Sequence, residues 1–210
     1  MKTTAHRPAK ALLTLVAAAT LCGGLSGCVA LAIGGAFVGG TLVVTDRRTS
    51  GTQIDDQAIE IKSNSRAREL LGDRAHVSTT SYNRLVLLTG EVATEADKAA
   101  MEQSVSRVEN VRSVVNELVV TGISSLNNRT NDTLLSGKVK ASLVEAKDVL
   151  ANLFKVVTER GTVYLMGRVT EREAARATEI ARSVPGVQKV VRVFDILTDA
   201  ELANLPKVTQ

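Results

Sequence analysis

The chain has 210 residues, of which 44% are hydrophobic and 23% are charged, a composition typical of a folded globular protein and not of a disordered one. Its net charge of +4 comes mostly from residues 1–27, which carry Lys2, Arg7 and Lys10 and no acid. No basic nucleic-acid-binding surface is therefore indicated, and an aromatic content of 2% excludes a stacking platform for single-stranded nucleic acid.

Residues 1–27 have the features of a secretory signal peptide. Basic side chains precede a short apolar run at 11–21, and small residues then lead to a cysteine in the sequence LSGC, as at a signal cleavage site. This tetrapeptide resembles the lipobox of bacterial lipoproteins, which implies cleavage before Cys28 and acylation of its thiol. A plain signal peptide or a signal anchor is the alternative. Because Cys22 and Cys28 are the two cysteines of the chain, we expect neither a disulfide nor a thiol metal site in the rest.

Residues 28–54 are predicted to form a tether behind the acylated Cys28. The tether begins with an apolar stretch, 29–44, of 16 residues, which is shorter than the ~20 residues that a membrane-spanning helix needs. Residues 11–44 could instead form one long hydrophobic anchor. Val29 occupies the position where, in Gram-negative lipoproteins, an aspartate commonly retains the protein in the inner membrane. The resemblance therefore implies an outer-membrane location, lipid-anchored and facing the periplasm.

Beyond the tether the chain repeats itself. The sequence LTGEV at 88–92 recurs 77 residues later as LMGRV at 165–169, and the valines at 108, 111, 114 and 115 recur 76 residues later. Repetition of several blocks in one order indicates a duplicated module. We place the modules at 55–121 and 132–198, joined by a polar linker at 122–131 and followed by a tail at 199–210.

Each module is predicted to contain elements in the order α-β-β-α-β. Asp55-Asp56 and Asn131-Asp132 are expected to cap the first helices, and Thr94 and Thr170 to cap the second ones. Gly90 and Gly167 are expected to end or bulge a strand. Strands are predicted at 76–80, 85–89 and 111–120, and again at 153–158, 162–166 and 187–197. This order predicts an α+β fold in which a three-stranded mixed sheet is covered by two helices.

The repeated patterns D-x-x-I/L, L-x-G-x-V and V-x-x-V-V, with an alanine-rich helix between the last two, resemble the BON domain. Two such domains behind a lipobox are similar to the dual-BON outer-membrane lipoproteins of the division- and outer-membrane-localised lipid-binding type. The resemblance implies a non-enzymatic protein without a cofactor that supports outer-membrane integrity. It also implies binding of anionic phospholipid, phosphatidylglycerol or cardiolipin, through the first helix of the second module, and in some members enrichment at the division site.

Charge favours the second module as the lipid-binding one. Residues 55–121 carry 8 basic and 11 acidic side chains, whereas residues 132–198 carry 11 basic and 8 acidic ones, and each basic residue near an anionic membrane contributes about 1 kcal/mol. On the first helix of this module we expect a shallow insertion of Leu134, with lysine reaching the phosphates. The predicted lipid-binding residues are Leu134, Gly137, Lys138, Lys140, Ala141 and Val144.

Two alternatives remain open from the residues. Leu134 could pack against the linker or the first module, and Glu145 on the same face opposes binding of an anion. The chain could also be a protein-interaction scaffold for outer-membrane or division proteins. No catalytic or metal site is predicted, because His76, the one histidine beyond the leader, has no cysteine or second histidine near it in sequence and is expected to be a surface or strand-end residue.

Overall fold

A computed structural model describes residues 46–205. The predictions made for Cys28 and for residues 29–44 lie outside this range. Both modules belong to one compact unit, 45–210. Within the described range, no helix is both long enough and apolar enough to cross a membrane.

The first module follows the predicted order. Thr49 caps its first helix, because the side chain of Thr49 accepts a hydrogen bond from the backbone N–H of Thr52, and Thr94 caps the second helix in the same way. A short 3₁₀ turn at Gly72–Arg74 precedes the first strand. The elements are α1 (Ser50–Leu71), β1 (His76–Tyr82), β2 (Leu85–Val92), α2 (Glu95–Ser106), β3 (Ser113–Asn116) and β4 (Val119–Val120).

The second module repeats this order. Its second helix opens with a complete capping box between Thr170 and Glu173, as predicted, and a 3₁₀ turn at Ala151–Leu153 again precedes the first strand. The elements are α3 (Leu126–Glu145), β5 (Lys155–Glu159), β6 (Thr162–Thr170), α4 (Glu171–Ser183), β7 (Lys189–Leu197) and a short α5 (Asp199–Ala203).

The sheets confirm the predicted α+β class. In each module the first two strands form an antiparallel hairpin, and the last strand runs parallel to the second. The last strand of module 1, predicted as continuous over 111–120, is interrupted between β3 and β4, both of which pair with β2. At the break Leu118 turns into the core of module 1, and the side chain of Asn116 accepts a hydrogen bond from its N–H at 3.2 Å.

The first helices begin earlier than predicted, which corrects the assignment of their caps. Helix α1 begins at Ser50, and α3 begins at Leu126, inside the segment predicted as a linker. The cap of α3 is Ser125. Asp56 and Asp132 therefore lie within the helices and not at their N-termini, and both are buried.

Asp56 and Asp132 hold the turns of the two hairpins. Both central residues of each turn have positive φ, as in a type I′ turn, with values of 51° and 63° at Asn83 and Arg84. In module 1, Asp56 accepts hydrogen bonds from both of these backbone N–H groups at 2.8 and 2.7 Å. In module 2, Asp132 accepts the corresponding bonds at 2.8 and 2.9 Å. The carboxylates thus join each first helix to its hairpin.

Gly90 and Gly167 lie inside their strands and do not end them. At Gly90 a Cβ atom would stand 2.0 Å from the carbonyl oxygen of His76, and at Gly167 it would stand 2.5 Å from that of Leu153. No side chain fits at either distance, because the obstructing atoms belong to the backbone. The repeated glycine therefore permits a close approach of two chain segments.

The two modules pack against each other through their sheets. One face of each sheet is covered by its own helices, and the other face meets the sheet of the other module. The second face explains why every residue of β2 is buried, whereas a strand with one solvated face would alternate. The buried contact between the sheets consists of Tyr82, Leu85, Leu87, Tyr164, Met166 and Val193.

Ion pairs surround this apolar contact. The ammonium of Lys155 lies 2.6 Å from the carboxylate of Glu60, and the guanidinium of Arg112 lies 3.1 Å from that of Asp195. The amide of Asn83 also donates to Asp195 at 2.6 Å. Together, the two modules of residues 46–205 form four layers: helices, sheet, sheet and helices.

Candidate functional site

The six predicted lipid-binding residues all lie on α3 and are all exposed. Leu134 is 60% exposed and Val144 is 67% exposed, although both are apolar. On the opposite side of the same helix, Val139 and Leu143 are completely buried in the core of module 2. The predicted division of α3 into a core face and an outer face is thus present in the structure.

The outer face of α3 is longer than predicted. Leu126, assigned to the linker, is the first residue of α3 and is 77% exposed. Steps of three or four residues keep side chains on one face of a helix. Such steps connect Leu126 to Val144 through Thr130, Leu134, Gly137 and Ala141, and this set is called the α3 stripe below. The sequence signal for this earlier start is Ser125, a residue type that commonly caps helices, directly before Leu126.

The surroundings of Leu134 are open to solvent. This side chain borders an open groove of about 610 Å³ between α3 and the turns at 160–161 and 185–186. Lys138 and Arg160 line the same groove, so cationic groups stand beside an apolar side chain. The acidic member of the lining, Asp132, is already engaged by the backbone of the β5–β6 turn.

Some basic side chains of module 2 form ion pairs, and others do not. Lys155 and Arg160 face carboxylates of module 1, and Arg176 of α4 pairs with Asp148 and Glu179. By contrast, Lys138, Lys140 and Lys147 form no ion pair with any of residues 46–205. The cations near the α3 stripe are therefore available to an external anion.

A second cluster lies where the two modules meet. His76 begins β1, as predicted, but it is not isolated: ligand atoms of His76, Glu91 and Glu159 all lie within 4.8 Å of one another. Burial, together with the negative charges of Glu91 and Asp132, raises the pKa of Glu159 to about 7. Burial and the charge of Arg129 lower the pKa of His76. The sequence did not predict this cluster, because Glu159 belongs to the other module and is far from His76 along the chain.

The fold and the repeated hairpin define a tandem α+β module protein, and the family profile of the BON domain matches residues 55–122 and 131–198. The chain belongs to the BON domain family. It is 39% identical over 175 residues to the outer membrane lipoprotein DolP of Haemophilus influenzae, a match that covers 82% of this chain and 90% of that protein. On this similarity the chain is an outer-membrane lipoprotein with two BON modules.

Two more distant relatives share most of the chain. The 21 kDa hemolysin of Actinobacillus pleuropneumoniae is 30% identical, with 71% of this chain and 78% of that protein covered. The osmotically-inducible protein Y of Escherichia coli is also 30% identical, with 67% and 72% covered. None of these three names is that of an enzyme.

Proposed function

We propose that this chain is a non-catalytic, lipid-anchored protein that binds anionic phospholipid on the periplasmic side of the outer membrane and thereby supports membrane integrity. The observation that carries the proposal is the α3 stripe, an exposed apolar row with Lys138 beside it. A helix of this kind lies in the membrane interface, with its apolar side chains among the acyl chains and its cations at the phosphates. Phosphatidylglycerol and cardiolipin supply the matching anionic headgroups.

Three large, exposed apolar side chains lie on α3. Single exposed leucines are common, but here Leu126, Leu134 and Val144 occupy one face, and the residues between them are small or short. Small residues let a helix approach the headgroup layer closely. Glu145 also lies on the margin of this face and weakens the attraction, so we expect lysine and hydrophobic contact together, and not charge alone, to determine binding.

The anchor and the helix would act together. An acylated Cys28 confines the modules to the membrane surface, so that a weak contact of α3 becomes effectively intramolecular. Such a contact is occupied when anionic lipid is abundant nearby and vacated when it is scarce. The protein would therefore respond to local lipid composition without a high intrinsic affinity.

Leu134→Glu should abolish binding of fragment 45–210 to vesicles containing phosphatidylglycerol or cardiolipin, because it places a negative charge where the membrane contact is proposed. The fragment contains every core contact of both modules and lacks the anchor, which would otherwise hold any variant on the vesicle. Cosedimentation measures the bound fraction, and circular dichroism checks the fold. We expect at least a tenfold loss, equivalent to ~1.4 kcal/mol.

The matched control is Ile61→Glu. Ile61 is 64% exposed on α1, the helix of module 1 that corresponds to α3, so the same charge is introduced at a similar exposure. This variant should bind the vesicles as the unchanged fragment does. Equal binding by Leu134→Glu and the unchanged fragment would refute the lipid site, and salt-sensitive capture of a protein without vesicle binding would favour the scaffold function instead.

Cys28→Ser should release the protein from the membrane fraction of cells into the soluble fraction. The thiol is the acceptor of the acyl chains in the proposed modification, and one residual helix contact is too weak for stable anchoring. Fractionation followed by mass spectrometry of the intact protein measures both effects. Cys22→Ser, six residues earlier, is the control and should leave the acylated mass unchanged; an unmodified Cys28 in the wild-type protein would contradict the anchor.

A further inference from the structure

The cluster at the module boundary combines groups from three strands. His76 of β1 and Glu91 of β2 are partners in the antiparallel hairpin, and side chains of directly opposed residues stand on the same face of a sheet. That face is the one directed at module 2, since Leu85 and Leu87 of β2 are an even number of residues from Glu91, share its face, and lie in the contact between the sheets. Glu159 reaches the same point from β5, so the three ligand atoms lie within 4.8 Å of one another.

Glu91 is completely buried and incompletely satisfied. Its Oε2 atom accepts a hydrogen bond from the hydroxyl of Ser124 at 3.3 Å. Its Oε1 atom has no hydrogen-bond partner among residues 46–205. An ionised carboxylate oxygen that is removed from water and left without a partner is strongly unfavourable. A positive group bound at Oε1 would therefore stabilise the ionised side chain of Glu91.

Arg160 supplies a positive group without filling the position. Its guanidinium lies 3.6 Å from Oε1 of Glu91, and its side chain is 45% exposed. This distance is longer than a hydrogen bond, and the side chain has room to turn toward water. The other nearby cation, Arg129, is engaged with Ser124, to whose hydroxyl and carbonyl oxygens it donates at 3.3 and 3.2 Å. A compact cation could therefore enter between the carboxylates as Arg160 leaves.

We infer that His76, Glu91 and Glu159 form a site for a divalent transition-metal ion, with Zn²⁺ as the best match to the donor set. One imidazole nitrogen and two carboxylate oxygens leave the fourth position of a tetrahedral zinc for water. The imidazole disfavours Mg²⁺ and Ca²⁺, which prefer oxygen ligands alone. Two ligands come from module 1 and one from module 2, so the ion joins the modules. Its three ligands lie outside the α3 stripe, and Arg160 borders both this site and the groove beside Leu134.

The test is a calorimetric titration of ZnCl₂ into the full chain, purified in detergent and freed of metal with a chelator. The wild-type protein should bind zinc at a site whose affinity falls at least about tenfold in His76→Asn, since loss of even an indirect zinc partner has an effect of this size. Glu159→Gln should have the same effect. Arg160→Asn should tighten binding, because it removes the competing guanidinium, and asparagine tolerates the positive φ of 51° at this position.

A second set of measurements distinguishes the loss of the metal site from a general loss of stability in the variants. Zinc should raise the unfolding midpoint of the wild-type protein and change the imidazole ¹⁵N shifts of His76, and neither change should occur with MgCl₂. Glu95→Gln, which alters an exposed carboxylate on α2, should leave zinc binding unchanged. Zinc binding that is the same in wild type, His76→Asn and Glu159→Gln would overturn the site, as would a wild-type protein that binds no zinc.

Discussion

Asp56→Ala is expected to lower the free energy of unfolding by about 3–5 kcal/mol, the cost of removing one member of a buried ion pair. The carboxylate of Asp56 is buried and accepts the N–H groups of Asn83 and Arg84, the hydroxyl of Ser81 and the guanidinium of Arg48 at 2.7 to 2.8 Å. Alanine leaves all four donors without this acceptor and releases the turn from α1. Urea denaturation of fragment 45–210 measures the loss.

The neighbouring residue offers a matched control. Asp55 also carries a carboxylate on α1, but it pairs with the exposed side chains of Arg84 and Asn110, and exposed pairs contribute about 0–1 kcal/mol. Asp55→Ala should therefore lower the free energy of unfolding by less than about 1 kcal/mol. Similar losses for the two variants would show that the helix-to-turn connection is not the source of stability.

Met166→Asp is expected to lower the free energy of unfolding by about 4–5 kcal/mol, because it removes a large apolar side chain and places a charge in a dry contact. Met166 lies on β6 in the contact between the two sheets and is completely buried there. The other face of β6, which meets α3 and α4, is unchanged. We therefore expect the modules to separate while each keeps its own helices, with a larger radius of gyration in small-angle scattering.

Met166→Leu is the control for this substitution. It conserves volume and polarity, and such swaps in a core change stability by less than about 1.5 kcal/mol. The scattering curve should match that of the wild type. If Met166→Asp leaves the radius and the single unfolding transition unchanged, the two sheets are not held together by this contact.

The module architecture followed from local patterns that the sequence displays twice. Repeated glycines, caps and valine-rich strands predicted the hairpin, the second helix and the last strand in the right order. The outer face of α3 also followed, since helical spacing alone separates Leu134 from Leu143. Errors occurred at Asp56 and Asp132, because an acid near the start of a helix commonly caps it, and nothing local shows that a carboxylate instead reaches a distant turn.

The sequence by itself determined the class of fold, the duplication and six of the residues that the proposed lipid contact uses, because each depends on spacing within one segment. The tertiary structure decided how the modules meet and which side chains the meeting brings together. The run Leu85-Val86-Leu87-Leu88 was predicted only as a strand, and the surface that covers its second face belongs to β6 and β7. Similarly, His76 and Glu159 are 83 residues apart in sequence, and only the packing of one sheet on the other places them side by side.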